Sequence, residues 1–142
     1  CDIRLASDNA KLGAPEIKLG WIGGGGMATF LRSAAGPSNA ALMLMTGDPV
    51  NAEKALEWGI VSEVVQQADL VARAKEIAAT IASRAPVAVE TAKLNLAAAA
   101  WMPAENAIAY ERDLQTICFA TEDAAEGRRA FAEKRSPDFR KR

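Results

Sequence analysis

Four consecutive glycines, Gly23–Gly26, follow a Pro-Glu pair in a chain that is otherwise rich in alanine and leucine. Glycine loses more conformational entropy on folding than any other residue, and a run of glycines offers no side chain to pack. A folded protein keeps such a run where its backbone must approach something closely. Free backbone N–H groups at such a place can bind an anion or hold a water molecule. The segment 15–26 is therefore the first candidate for a functional site.

The composition is that of a globular protein with a sizeable core. Of 142 residues, 50% are hydrophobic and 25% are charged, and 17 Lys and Arg nearly balance 18 Asp and Glu. The net charge of −1 gives no global electrostatic basis for binding nucleic acid. No apolar stretch approaches the roughly 20 residues of a membrane helix, and the start of the chain lacks a signal-peptide pattern. We expect no membrane span and a cytoplasmic protein, with the mitochondrial matrix as the alternative.

The chain contains no histidine and only two cysteines, Cys1 and Cys118. Ser-His-Asp and Cys-His arrangements are therefore excluded, and zinc loses its commonest nitrogen ligand. Acid–base chemistry falls to carboxylates, lysine or tyrosine, and we predict no metal site and no disulfide framework. The chain begins without methionine on an alternating pattern over residues 1–6 that resembles the middle of a sheet. We interpret the chain as a fragment of a longer protein.

Residues 1–66 show a mixed α and β pattern. Alternating Ile3 and Leu5 predict a first strand, and turn residues follow it. The further predictions for this region are a strand at 11–13, a helix over 27–35 stopped by Gly36-Pro37, a helix over 39–45 capped by Ser38, a helix capped by Asn51 and ended by Gly59, and a strand within 60–65.

Residues 67–142 are predicted to be helical throughout. Glycine nearly disappears there, and apolar residues recur at helical spacing. Pro86 and Pro103 suit the first turns of two helices, and Thr121 suits the N-cap of the last one. The domain organisation predicted from the sequence is an α/β region over 1–66 and an all-helical region over 67–142.

Glu16 is the candidate acid–base group. Taken alone, a glutamate is most often an exposed surface or capping residue. Its apolar neighbours are expected to shield the carboxyl from water, a setting in which a carboxyl can exchange a proton. These neighbours are Ile17, Leu19, Trp21 and Ile22.

The glycine run matches neither a Walker phosphate loop nor a dinucleotide-binding Gly-x-Gly-x-x-Gly pattern. Two interpretations remain: a flexible turn leading into a helix, or a backbone site that faces a ligand. A helix beginning at Met27 favours the second, because its first N–H groups would point toward the loop.

Two further groups of residues have alternative interpretations. The basic residues near the C-terminus form either a solvated end or a contact with phosphates. They are Lys134, Arg135, Arg140, Lys141 and Arg142. Large apolar side chains at helical spacing most often fill a core or an interface. They are Met43, Met45, Trp58 and Trp101.

Several segments together resemble the enoyl-CoA hydratase/isomerase (crotonase) family. They occur in the order of that family and cover nearly the whole chain. The segments are Cys1–Ser7, Lys11–Gly20 with the glycines after it, Leu44–Asp48, Asn51–Val61, Phe119–Asp123, Glu126-Gly127 and Ala130–Arg135.

The resemblance implies a fold and a substrate class. Residues 1–66 would be the C-terminal part of a ββα spiral, and residues 67–142 a helical region that builds a homotrimer, often paired into a hexamer. The substrates of the family are acyl-CoA thioesters of fatty acid metabolism. Coenzyme A is part of the substrate, and the resemblance implies no further cofactor.

The resemblance also assigns roles to residues. Glu16 matches the Pro-Glu glutamate that acts as an acid or base, and Gly24 matches the glycine whose N–H holds the added water. Trp21, Ile22 and Gly23 fall in the substrate-binding segment. Phe131 and Lys134 match positions that in some members touch the CoA nucleotide, often from a neighbouring subunit.

The chain departs from the pattern of the family at two places, and two parts of the site would lie before Cys1. Gly23 stands where proline is common, and Met27-Ala28 replace the usual Gly-Thr. The oxyanion-hole donors and a second glutamate would lie upstream. The first hypothesis is an enoyl-CoA hydratase that adds water reversibly, in syn fashion, to a 2-enoyl-CoA. The alternatives are an enoyl-CoA isomerase, which needs one glutamate, and a non-catalytic assembly or binding module, because the 142 residues alone are expected to be inactive.

Overall fold

The computed structural model describes all of residues 1–142, with four short strands and six α-helices. The strands are β1 (Leu5–Ser7), β2 (Lys11–Leu12), β3 (Val50–Asn51) and β4 (Glu63–Val65). The α-helices are α1 (Met27–Thr46), α2 (Ala52–Glu57), α3 (Leu70–Ala82), α4 (Pro86–Ala99), α5 (Ala104–Phe119) and α6 (Glu122–Ala132). Two 3-10 helices span Pro15–Leu19 and Gln67–Asp69.

The chain divides into two compact units, Cys1–Lys75 and Glu76–Arg142. The first unit contains all the strands, and the division falls within α3, so that the second unit holds the rest of that helix, α4 to α6 and the last residues of the chain. The structure is mostly helical with few strands, and the two predicted regions stay a prediction. The sequence predicts a boundary between residues 66 and 67. This division lies elsewhere, between Lys75 and Glu76, and the predicted boundary stays a prediction.

Two strand pairs organise the first unit. β1 pairs with β4 in parallel, with Ala6 opposite Val64, and β2 pairs with β3 in antiparallel fashion, with Leu12 opposite Val50. Parallel strands need a long crossover, and here the chain between β1 and β4 supplies it. Ser62 N–H donates to the Arg4 carbonyl at 2.7 Å and extends the parallel pair by one bond.

Helix α1 is interrupted at Gly36, whose φ of 77° and ψ of 164° lie outside the helical region. The break predicted at Gly36-Pro37 is therefore confirmed. The N-cap predicted at Ser38 is wrong, because Gly36 is the only non-helical residue inside the helix and the helical turns resume at Pro37. Proline suits this first position, since its fixed φ is helical and its missing N–H is not needed there.

The core of the first unit is built mostly from small and β-branched side chains, with one methionine. Its buried members are Ala6, Ala14, Ala35, Met43, Ala52, Ala55, Ile60 and Val61. Helix α2 packs against β2, β3 and β4, and its N-cap Asn51 accepts the Lys54 N–H at 2.9 Å, as predicted. The small residues let the helix approach the strands closely.

The second unit packs α5 against α4 and α6. Its buried apolar residues are Leu114 and Ala130, and Asp123 is buried beside them. The predicted cap Thr121 accepts the Ala124 N–H at 3.1 Å, and Pro86 begins α4 as predicted. None of the helices combines the length and apolar character needed to cross a membrane.

Candidate functional site

The first 3-10 helix holds Glu16 in a defined place at the surface of the first unit. Ala14, just before the helix, is buried, and Lys18 forms an ion pair of 2.6 Å with Asp48 beyond the end of α1. The helix lies so close to Gly47 that a Cβ there would come within 2.8 Å of the Ile17 side chain. These contacts fix the backbone that carries Glu16.

The carboxyl group of Glu16 lies beside Gly23. A Cβ added at Gly23 would be 3.4 Å from the Glu16 carboxyl carbon and 2.5 Å from the sulfur of Met27. Glu16 Oε2 is buried and accepts no hydrogen bond within the chain. Because a buried carboxylate oxygen without a partner is costly, such an atom is unusual, and its lone pairs are not used by any donor within the chain.

The glycine run turns directly into α1. Gly25 and Gly26 have φ of 66° and 85°, which L residues rarely adopt, and Met27 N–H donates to the Gly24 carbonyl at 3.3 Å. The Gly24 N–H donates to no atom of the chain, and a Cβ at Gly24 would meet open space. The predicted helix start at Met27 is confirmed, which favours the interpretation of the loop as a ligand-facing site.

The apolar cover expected around Glu16 differs from the one observed. Trp21 and Ile22 are 57% and 81% exposed, and Ile17 and Leu19 are also exposed. Ile17 and Leu19 lie in the 3-10 helix, where three residues per turn point neighbouring side chains in different directions, and Trp21 and Ile22 lie beyond its end at Leu19. The sequence marked Met27 only as the start of a helix and as a departure from the family pattern, and it did not predict that the Met27 side chain lies near Gly23 together with the Glu16 carboxyl.

Phe131 and Lys134 lie in the second unit, at the end of α6. Phe131 is 87% exposed, and Lys134 N–H donates to the Phe131 carbonyl at 3.2 Å. Lys134 has a positive φ of 53°, which turns the chain away from the helix axis. The structure brings Glu16, Gly23 and Gly24 together in the first unit, and Phe131 and Lys134 together in the second.

The basic residues after α6 are largely held by carboxylates of the same unit. Arg135 binds Glu126 and Glu133, Arg140 binds Asp138, and Lys141 binds Glu90 at 2.6 Å. Hydrogen bonds from Arg135 and then Arg129 hold the pKa of Glu126 well below its usual range. This network was not predicted from the sequence, in which the tail was interpreted as a solvated end or a phosphate contact.

Asp123 fastens the last residues to the start of α6. Its carboxylate accepts the N–H of Arg140 at 2.7 Å and of Lys141 at 2.8 Å, and its own N–H donates to the Arg142 carbonyl at 2.9 Å. A carboxylate at the start of a helix also matches the helix dipole. The structure shows a buried acceptor for two backbone donors of the tail.

The chemistry available at Glu16 is proton transfer and the holding of a polar group. The carboxylate offers an unpartnered oxygen, and the Gly24 amide offers a free donor one residue beyond Gly23. No group of three or more His, Cys, Asp or Glu side chains is arranged to hold a metal ion.

Comparison with known proteins gives a single family. The sequence model of the family described as enoyl-CoA hydratase/isomerase matches residues 1–142. The chain is 40% identical over 140 residues to (E)-benzylidenesuccinyl-CoA hydratase of Thauera aromatica, covering 99% of this chain and 55% of that protein. It is 39% identical over 139 residues to crotonyl-CoA hydratase of Syntrophomonas wolfei, covering 98% and 54%.

Comparison of the fold with solved structures leads to the same family. The crystal structure of enoyl-CoA hydratase from Bacillus anthracis superposes with a TM-score of 0.97 at 34% identity, covering 100% of this chain and 55% of that chain. The chain thus spans about half the length of the proteins that it matches. The expectation of a crotonase-like fold is confirmed at this level.

Proposed function

We propose, because the chain belongs to the enoyl-CoA hydratase/isomerase family, that the protein carrying it hydrates 2-enoyl-CoA thioesters reversibly. The observation on which the proposal depends is the buried, unpartnered Oε2 of Glu16, whose carboxyl lies beside Gly23, one residue before the free N–H of Gly24. A carboxyl can give a proton to an acyl chain or take one from it, and a backbone N–H can hold the water molecule that is added. The proposed reaction needs no cofactor, since coenzyme A belongs to the substrate.

In the proposed reaction, water adds across the conjugated double bond, with the hydroxyl on one carbon and a proton on its neighbour. Glu16 serves as one of two acid–base carboxylates, and the Gly24 N–H orients the water. Gly23 borders the carboxyl, and the exposed side chains of Trp21 and Ile22 are the proposed contacts for the substrate. The exposed Phe131 and Lys134 offer an apolar and a cationic contact suited to a nucleotide.

The proposed partner of the second unit is further copies of the same chain, in a homotrimer or a hexamer. Large apolar side chains exposed in this unit are Ile81, Leu94, Leu96, Trp101, Met102, Ile108, Ile117, Phe119 and Phe131. The buried apolar residues of this unit are only Leu114 and Ala130. So much exposed apolar surface on so small a core is typical of an interface.

An enoyl-CoA isomerase is the second candidate. Glu16 is a carboxylate beside Gly23, and one carboxylate suffices to move a proton along an acyl chain. For the 142 residues alone we propose a third role, a non-catalytic assembly or binding module, because half the length of the related proteins is absent from the chain.

The test is a pair of assays on the complete gene product. With crotonyl-CoA, a hydratase removes the absorbance of the conjugated thioester and yields a 3-hydroxyacyl-CoA. With 3-hexenoyl-CoA, an isomerase produces that absorbance. We expect the first reaction, and activity only in the second assay would assign the isomerase. Hydration of crotonyl-CoA by the 142-residue chain alone would exclude the non-catalytic role.

A further inference from the structure

Met27 shares with Glu16 the space above Gly23. A Cβ at Gly23 would lie 2.5 Å from Met27 Sδ, 2.8 Å from Met27 Cε and 3.4 Å from the Glu16 carboxyl carbon. The thioether and the carboxyl therefore occupy the same side of the Gly23 backbone as near neighbours. Both can come this close to the backbone because residue 23 has no side chain.

The position of Met27 is fixed from two directions. Its N–H closes a turn onto the Gly24 carbonyl at 3.3 Å, and its side chain, half-buried, packs against the core of the first unit. It is also the first residue of α1, so the following turns of the helix anchor its backbone. The thioether is thus held in place near Glu16.

The chemistry of a thioether leaves the carboxylate available. Methionine sulfur is a weak acceptor and has no proton to donate, so it cannot pair with a carboxylate oxygen. This agrees with Glu16 Oε2 being buried and without a hydrogen-bond partner. Met27 therefore restricts the volume beside the carboxyl without competing for its proton.

We propose that Met27 determines acyl specificity, confining the site to 2-enoyl thioesters that carry no branch at the carbon that exchanges a proton with Glu16. The inference rests on the proposed function. That carbon must come within reach of the Glu16 carboxyl, and a methyl group attached to it must fit beside the carboxyl, where the thioether lies. Close-packed sites respond to a change of even one methylene in volume.

The experiment compares crotonyl-CoA with 2-methylcrotonyl-CoA, which differ by one methyl group at the carbon next to the thioester. The value of kcat/KM for each is measured with the complete gene product and with Met27→Leu, Met27→Val and Met27→Ala. The matched control is Met45→Ala, since Met45 also lies in α1 but is 76% exposed. Leucine conserves volume best, so Met27→Leu keeps the packing against the core.

We expect the ratio of kcat/KM for the branched to the straight substrate to rise about 10-fold or more in Met27→Val or Met27→Ala, because one methyl group in an apolar pocket is worth about that much. Met27→Leu and Met45→Ala should keep the original ratio. An unchanged ratio in a folded Met27→Val protein that still hydrates crotonyl-CoA overturns the inference and leaves the proposed function intact. Failure of the unaltered protein to hydrate either substrate overturns both.

Discussion

A Cβ at Gly23 would lie 3.4 Å from the carboxyl carbon of Glu16, so residue 23 borders the proposed acid–base group directly. This separation is close to ordinary van der Waals contact, but the same Cβ would lie only 2.5 Å from Met27 Sδ. The Met27 thioether must therefore move if residue 23 gains a side chain. The absence of a side chain at this position is therefore part of the geometry of the site.

Gly23→Ala is expected to lower kcat by up to about 10-fold, because the Met27 thioether must move within the space beside Glu16 and a displacement of about 1 Å near a reacting group can cost as much as about 100-fold. Steady-state hydration of crotonyl-CoA by the complete gene product measures the effect. The control is Gly127→Ala in α6, where the new Cβ would make only ordinary contacts of 3.6 Å or more. Adding Met27→Ala should restore part of the loss by a non-additive amount. A wild-type kcat in Gly23→Ala would contradict the assigned geometry.

Asp123→Asn is expected to release the C-terminal tail. An asparagine keeps one acceptor oxygen but turns an NH₂ group toward the second backbone donor, leaving buried polar groups unpaired. The free energy of unfolding should fall by about 1–3 kcal/mol. Hydrogen exchange at the Arg140 and Lys141 amides should accelerate, whereas Glu122→Gln, which changes the exposed neighbouring carboxylate, should not affect it. Unchanged hydrogen exchange at both amides in Asp123→Asn would contradict the role of Asp123 as the acceptor that holds the tail.

Glu126 gives the stability a defined dependence on pH. Because hydrogen bonds from Arg135 and Arg129 lower its pKa in the folded protein, its stabilising contribution is present above the unfolded pKa of about 4.3 and is lost as the pH falls toward the folded value. Glu126→Gln should therefore lower Tm at pH 7, and the difference from the unaltered protein should shrink below pH 4. Added salt should also reduce this difference in Tm, since the Arg129 side chain is 61% exposed and its charge is screened. A difference in Tm that is independent of pH would assign the effect to packing.

The exposed apolar surface of the second unit predicts self-association. The mass of the complete gene product in solution, measured by light scattering at several concentrations, should equal three or six copies. Burial of this surface should also make the thermal stability depend on protein concentration. A monomer at every concentration would contradict the proposed oligomer.

Local signals in the sequence predicted local structure well. Asn51 and Thr121 cap helices because a side-chain oxygen needs only a backbone N–H three residues later. Ser38 does not cap a helix, because the break lies at Gly36 and the helix already resumes at Pro37. Such a choice between adjacent signals depends on packing, which the sequence does not display.

The contacts that the sequence did not predict join residues that are far apart in the chain, or involve side chains whose direction no local pattern indicates. The Asp123 carboxylate binds amides 17 and 18 residues away, and no local pattern marks such a pairing. Met27 and Glu16 lie eleven positions apart in the chain, yet both side chains come close to Gly23 because this residue has no side chain. The sequence names Glu16 as the candidate acid–base group, but it does not predict that the Met27 side chain lies near the same glycine.

The most direct test of the central claim is the activity of Glu16→Gln in the complete gene product. Loss of a general acid or base should lower kcat for crotonyl-CoA hydration by about 10²- to 10⁴-fold. The dissociation constant of the acyl-CoA should stay within a few-fold of its original value, because glutamine keeps the shape of the side chain. The matched control is Glu57→Gln, which changes an exposed glutamate paired with Lys54 and should leave kcat unchanged. Hydration by Glu16→Gln at the rate of the unaltered protein would contradict the assignment of Glu16 as an acid–base group.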